Sequence, residues 1–132
     1  MEIEIGMKNS VESRVTQSTT AKFLKSGSLN VLGTPEMIRL IEQSAAELLE
    51  KNLPDGKTSV GISMNIEHKS PTPIGLKITA EVTIEKVDGR KITFSARVYD
   101  PISEIGSGTH ERFIVDAEKF QSKADSKTAV PV

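Results

Sequence analysis

The sequence predicts an α+β fold, with one long helix laid on an antiparallel sheet of about five strands. Three observations lead there. Between Thr34 and Leu49 apolar residues recur at helical spacing. From Thr58 onward they recur at every second position, and Asp88-Gly89 separates two such runs in the manner of a tight hairpin. A sheet that is apolar on one face needs a cover, and a helix with one apolar stripe supplies it.

The elements follow in order. Val11 to Thr20 reads as an edge strand with Val11 and Val15 as its large apolar residues. Ser26, Gly27 and Ser28 mark a turn, and Leu29, Val31 and Leu32 a short extended piece. Thr34 is suited to cap a helix and Pro35 to its first position, where the missing N–H has no partner to lose. Met37, Ile41, Ala45, Leu48 and Leu49 form the stripe, and Pro54 and Gly56 stop the helix. Val60, Ile62, Met64 and Ile66 then alternate with polar residues, until Pro71-Thr72-Pro73 interrupts. Leu76, Ile78, Ala80, Val82 and Ile84 give a long half-buried strand, and Ile92, Phe94, Ala96 and Val98 the next inward face. Glu104 to Val115 reads as one more strand, and Ala117 to Lys123 as a terminal turn or helix.

The 132 residues suit one domain spanning 1–132, with 1–10 and 121–132 as flexible ends. Such a chain buries roughly two-thirds of its unfolded surface, enough for one core. With no cysteine there is neither a disulfide nor a thiolate metal site. Two histidines and scattered carboxylates give no metal-ligand spacing, so no metal is expected. The 17 basic and 18 acidic residues lack the net basic charge of a nucleic-acid binder. No apolar run reaches the ~20 residues of a membrane span, and MEIEIGMKNS has no signal-peptide core. A cytoplasmic protein without membrane or nucleic-acid partners is expected.

Four places are candidates for chemistry. Glu42 stands one turn from both Ile38 and Ala45, beside the apolar stripe. It either reaches water from the edge of the stripe or lines a pocket at a subunit interface. Thr34 either caps the helix or lends its hydroxyl to an attacking oxygen, next to helix amides able to stabilise negative charge. His68 continues the phase of Met64 and Ile66, which aims it at the helix side at the strand's end. There it is either structural or a proton carrier near neutral pH. Gly106 and Gly108 leave one strand face bare, for close packing, for a bulge or for a ligand. Gly106-Ser107-Gly108 lacks the third glycine and the following helix of a dinucleotide site.

Together the segments GTPEMIRLIE (33–42), SVG (59–61), HKSPTPIG (68–75), VDGR (87–90) and EIGSGTHER (104–112) resemble the fluoroacetyl-CoA thioesterase family of hotdog proteins. The likeness runs in register over residues 15–120. It implies a hotdog fold, in which a curved antiparallel sheet wraps one central helix, and an acyl-CoA thioesterase that hydrolyses a small acyl-CoA. It also implies a catalytic group of Thr34, Glu42 and His68, with Gly61 in the wall of the acyl pocket and Arg112 in binding or interface support. CoA would be part of the substrate and no separate cofactor is needed. The fluoroacetyl-specific enzyme carries an aromatic lid just before the helix, whereas SGSLNVLG here has no aromatic residue. The resemblance therefore reaches the hydrolysis and not selection for a fluorinated acyl group.

Spacing adds a constraint. Eight helical residues rise ~12 Å, with the two positions ~80° apart, so Thr34 and Glu42 of one chain do not meet. A homodimer with two interfacial sites is expected, able to pair into a tetramer. Two other readings share these residues: a hotdog enoyl-CoA hydratase or dehydratase, and a non-catalytic acyl-CoA binding module. The helix glutamate and the Thr-Pro start favour the thioesterase over the first. Release of free thiol separates it from the second.

Overall fold

The computed structural model describes residues 3–129; residues 1–2 and 130–132, in the end segments expected to be flexible, lie outside them. Strand β1 (Lys8–Arg14) precedes helix α1 (Thr34–Glu50), which is followed by strands β2 (Lys57–His68), β3 (Lys77–Asp88), β4 (Lys91–Tyr99) and β5 (Glu104–Asp116) and by helix α2 (Ala117–Asp125). The strands form one five-stranded antiparallel sheet in the order β1-β3-β4-β5-β2. Helix α1 lies in its concave face and touches β1, β2, β3 and β4.

The helix forms where its stripe dictates. Met37, Ile41, Ala45 and Leu49 are fully buried, with Leu40 and Leu48 beside them. The opposite face is polar, where Arg39 donates to Gln43 and Gln43 to Glu47, each one turn on. Ser44 is also fully buried, and its hydroxyl donates to the Asn9 carbonyl while Asn9 Nδ2 donates to the Ser44 carbonyl, both at 2.9 Å. This reciprocal pair pins β1 to the helix without leaving a buried polar atom unpaired.

Strands β3 and β4 bury the faces that alternation marks: Ile78, Ala80, Val82 and Ile84 on one, Ile92, Phe94, Ala96 and Val98 on the other. Gly89, in the turn between them, has a φ of 60°, the left-handed conformation that glycine adopts at least cost.

Four details differ from the sequence reading. The first strand is shifted to Lys8–Arg14, and Gln17–Thr19 forms a 3-10 turn. There the Thr16 amide bonds the Thr19 hydroxyl and the Thr19 amide the Thr16 carbonyl, which ends the extended run. Val11 and Val15 remain buried. Helix α1 is capped by Gly33, so Thr34 is its first residue and not its cap. In β2 a bulge at Ile62 reverses the inward phase, because Gly61 pairs with Arg112 while Ser63, two residues on, pairs with the adjacent Glu111. Ser59 is therefore buried and Ile62 is 49% exposed, while Met64, Ile66 and His68 face the helix side as expected. Finally, only β3, β4 and β5 form a plain meander. Strand β2 lies at the far edge against β5, so residues 69–76 cross over to reach β3.

That crossover is tied at several points. The Leu32 amide donates to the Thr72 carbonyl at 2.9 Å, and Val31 bridges Pro73. The buried Thr72 hydroxyl donates to Asp100 Oδ2 at 2.8 Å, and Gly75 takes a φ of 103°. The block HKSPTPIG is thus largely structural after its histidine.

Gly108 faces β2 so closely that an added Cβ would stand 2.0 Å from the Asn65 carbonyl oxygen. Backbone has to move to admit it. Gly108→Ala is expected to destabilise the fold by roughly 2 kcal/mol, about 8 °C in melting temperature. Gly106→Ala, whose Cβ would meet the flexible end of Met37, is expected to lower the melting temperature less in the same calorimetric measurement.

Candidate active site

Strand β5 sets the site. Its inward face reads Gly106, Gly108, His110, Arg112, two bare positions and then two polar ones. Across from them on β2 stand His68, Ile66, Met64 and Gly61 in the same order. The β2–β5 half of the concave face therefore carries glycines and polar groups beside Met64 and Ile66, whereas the β3–β4 half is wholly apolar.

At one end of this strip the crossover carries His68 under the start of α1. His68 Nδ1 lies 2.8 Å from the Thr34 hydroxyl. As the first helical residue, Thr34 has no capping duty, and the Glu36 and Met37 amides both donate to the Gly33 carbonyl instead. Burial pushes the His68 pKa below its usual value, against an opposing hydrogen bond with the Ser70 backbone. The imidazole is thus neutral at pH 7. In the Nε2–H tautomer its Nδ1 accepts the Thr34 proton, which is the arrangement that activates a hydroxyl. The pair opens on a cleft of about 300 Å³ lined by Val31, Thr34, His68, Lys69, Ser70 and other residues.

The helix start offers fewer amides than its sequence suggests. Pro35 has none, and those of Glu36 and Met37 are engaged with Gly33. Among the described residues, the Thr34 N–H is the first-turn donor for which no backbone acceptor is found. Together with the helix dipole, it is the group able to meet an oxyanion here.

At the other end Glu42 Oε2 stands 3.6 Å from Arg112 Nη1. The Glu42 side chain is half-exposed and Arg112 is buried. Gly61 lies directly beneath them, and a Cβ there would stand 2.6 Å from Glu42 Oε2 and 3.3 Å from Arg112 Nη1. The glycine makes room for the carboxylate. Arg112 is fixed by Ser59, Nε donating to Oγ at 2.8 Å and Nη2 to the carbonyl at 3.1 Å.

The five residues to which the resemblance gives a role thus fall into two groups, Thr34 with His68 and Glu42 with Gly61 and Arg112. Within one chain no hydrogen bond or ion pair joins the groups among the described residues. Sequence reasoning assigned no role to Ser59 and His110, which complete the second group. His110 was within reach of the pattern. The alternation that puts Gly106 and Gly108 on one face continues to His110 and Arg112.

Comparison with known proteins agrees with this architecture. The family model for FlK, fluoroacetyl-CoA-specific thioesterase, matches residues 15–118. The fluoroacetyl-CoA thioesterase of Streptantibioticus cattleyicolor is 35% identical over 98 residues, which cover 74% of this chain and 70% of that protein. A crystal structure of an FlK mutant in complex with acetyl-CoA superposes with a TM-score of 0.90 at 29% identity, covering 96% of this chain and 99% of the other. A hot-dog-like protein from Thermanaerovibrio acidaminovorans, 23% identical, shares the fold with a TM-score of 0.88 over 96% of this chain and 94% of its own. The chain belongs to the fluoroacetyl-CoA-specific thioesterase (FlK) family and is a hotdog-fold thioester hydrolase.

Proposed function

We propose that this chain hydrolyses a small acyl-CoA ester to the carboxylate and free CoA, with Thr34, Glu42 and His68 acting on one thioester. The observation that carries the reading is the 2.8 Å contact between the Thr34 hydroxyl and a neutral His68 at a helix N-terminus. His68 takes the proton from Thr34, or from a water that Thr34 holds. The oxygen so activated attacks the thioester carbonyl. Negative charge gathers on the carbonyl oxygen near the Thr34 amide and the helix dipole. Collapse expels the CoA thiolate, which takes the proton held by His68; where Thr34 is itself the nucleophile, a water activated by His68 then hydrolyses the acyl-threonine to release the carboxylate.

Glu42 lies about 12 Å along the helix from Thr34, too far to serve that pair in its own chain. On this reading a second copy supplies it, and each of two sites in a homodimer combines Thr34 and His68 of one protomer with Glu42 of the other. Strand β2, at the sheet edge, carries both Gly61 and His68, so an interface along it reaches both groups. Glu42 then orients the imidazole or activates water. Gly61 and Arg112 wall the acyl end, and the little space above Gly61 suits a short acyl group. Pairing of dimers into a tetramer is compatible with this arrangement. A cytoplasmic location suits a cysteine-free chain acting on CoA esters.

Free-thiol release across short, branched and aromatic acyl-CoAs tests the activity. His68→Ala and Glu42→Ala are each expected to lose at least about a hundredfold in kcat while keeping their circular dichroism. Full activity in both would refute the assignment, and binding of the ester without thiol release would identify a binding module instead. Conversion of an enoyl-CoA would identify a hydratase. Light scattering is expected to show a dimer or tetramer, and an active monomer would exclude the shared site. An acyl adduct on Thr34, sought by mass spectrometry after rapid quench, distinguishes a nucleophilic Thr34 from one that holds water.

The pH profile follows from His68. Its pKa lies below 6.5, and the working form is the neutral one. The rate constant kcat/KM is therefore expected to be flat from pH 7 to 8 and to fall as pH drops below about 6.5. A profile that rises toward acid would exclude His68 as the base.

A further inference from the structure

We propose that His110 is a positioning residue of this site, which holds the Arg112 guanidinium and through it the Glu42 carboxylate. The inference rests on the catalytic reading of Glu42 given above.

His110 is buried at the centre of the concave face, between Met64 of β2 and Phe94 of β4. Its ring stacks on Phe94 with centroids 5.9 Å apart and 24° between the planes. A histidine serving only to fill that space would need just a partner for each nitrogen. Here the partners dictate the tautomer. Nδ1 lies 2.8 Å from the Ser63 carbonyl, which only accepts, so Nδ1 carries the hydrogen. That carbonyl sits next to the bulge at Ile62, where the regular ladder with β5 is interrupted. Nε2 is then a bare lone pair. It faces Arg112 Nη1 at 3.3 Å, which only donates.

The guanidinium is thereby gripped on three sides, by the Ser59 hydroxyl, the Ser59 carbonyl and His110. The nitrogen that His110 grips is the one that faces Glu42, at 3.6 Å. His110 thus controls the single cationic atom presented to the catalytic carboxylate. The link holds only while the ring is neutral. A second proton would go to Nε2 and set N–H against N–H, two cations in contact.

The surrounding charges are few. From β5 itself come Arg112 and Glu111, and from α1 come Glu42 and, acting on Arg112, Glu50. Strand β4 contributes Phe94 and Ile92, and β2 contributes Met64 and Gly61, none of them charged. Burial, with help from Arg112, outweighs the Ser63 hydrogen bond and the two carboxylates, and lowers the His110 pKa. The ring is kept in the form that accepts from Arg112.

Two variants and a spectrum test this. His110→Gln retains an acceptor for Arg112 without a titrating ring, whereas His110→Phe fills the space without an acceptor. With acetyl-CoA as the probe, His110→Phe is expected to lower kcat about tenfold or more while changing KM by less than about threefold, and His110→Gln to stay within about threefold of wild type. Two groups titrate in the wild type and one in His110→Gln, so the acid limb of log kcat/KM is expected to be steeper in the wild type, its extra fall about the size of the loss in His110→Phe. Nitrogen-resolved imidazole NMR is expected to show the Nδ1–H tautomer at His110 at neutral pH. Wild-type kcat and a wild-type acid limb in both variants would overturn the inference, as would an Nε2–H tautomer. Should His110→Phe not fold, the His110→Gln slope and the spectrum decide. Glu42→Gln serves as the control. Full activity there would overturn the reading of Glu42, whereas loss there with unaffected His110 variants would overturn this inference alone.

Discussion

The segment between β2 and β3 is the constraint on which the arrangement depends. It leaves one edge strand and must reach β3 on the far side of β5 and β4, passing the start of α1 on the way. Thr72 holds it in place, its hydroxyl on Asp100 and its carbonyl on the Leu32 amide. Both partners are distant in sequence, so the tie joins the crossover to the β4–β5 turn and to the residues that enter the helix. His68 ends the strand four residues earlier and is delivered to Thr34 by the same path. Loss of the Thr72 hydroxyl would leave Asp100 with its two amide donors, Ile102 and Ser103. The crossover itself would lose its buried anchor.

A second consequence follows from how the apolar surface is shared. Helix α1 has one stripe, buried against the alternating faces of β3 and β4 and, at Met37, against Gly106 of β5, with Met64 and Ile66 of β2 packed beside the core. The β2–β5 strip is left to carry glycines and polar side chains, which would weaken a core. It can do so because each polar group there is engaged, and among the described residues no buried side-chain nitrogen or oxygen lacks a partner. The site is in this sense built where the concave face turns from apolar side chains to glycines and polar groups.

This division explains what could be read in the sequence. Strands β3 and β4 were legible because their period of two holds from Ile78 to Ile84 and again from Ile92 to Val98, and α1 because its stripe is complete. The inward phase of β2 was not. A bulge adds one residue, and one residue reverses every side chain before it, so Ser59 and Gly61 face inward where Val60 and Ile62 were expected. Residue type favours Thr34 as a cap, but the backbone places Gly33 there and leaves the hydroxyl for His68. The order of strands was illegible as well, since alternation fixes faces and not neighbours. Thr34, Glu42 and His68 drew notice one by one. The separation of Thr34 from Glu42 was set by their spacing on one helix, but which of them His68 joins depends on where β2 ends, and so appears only with the fold.

The same division bears on how a weak ion pair serves a reaction. Arg112 is buried, and its nearest carboxylate lies at 3.6 Å, beyond a hydrogen bond. Removing a guanidinium from water is costly, and Ser59 and His110 offset that cost with dipoles and not with charge. Their bonds fix the cation without neutralising it. Glu42, half-exposed, makes no hydrogen bond to Arg112 among the described residues. If a second copy covers this edge, water leaves the gap and the effective dielectric falls, so each interaction of the carboxylate strengthens. A tight Glu42–Arg112 pair would have spent the carboxylate on structure. The loose one, held from the far side by Ser59 and His110, leaves it available to the imidazole or water of the proposed shared site.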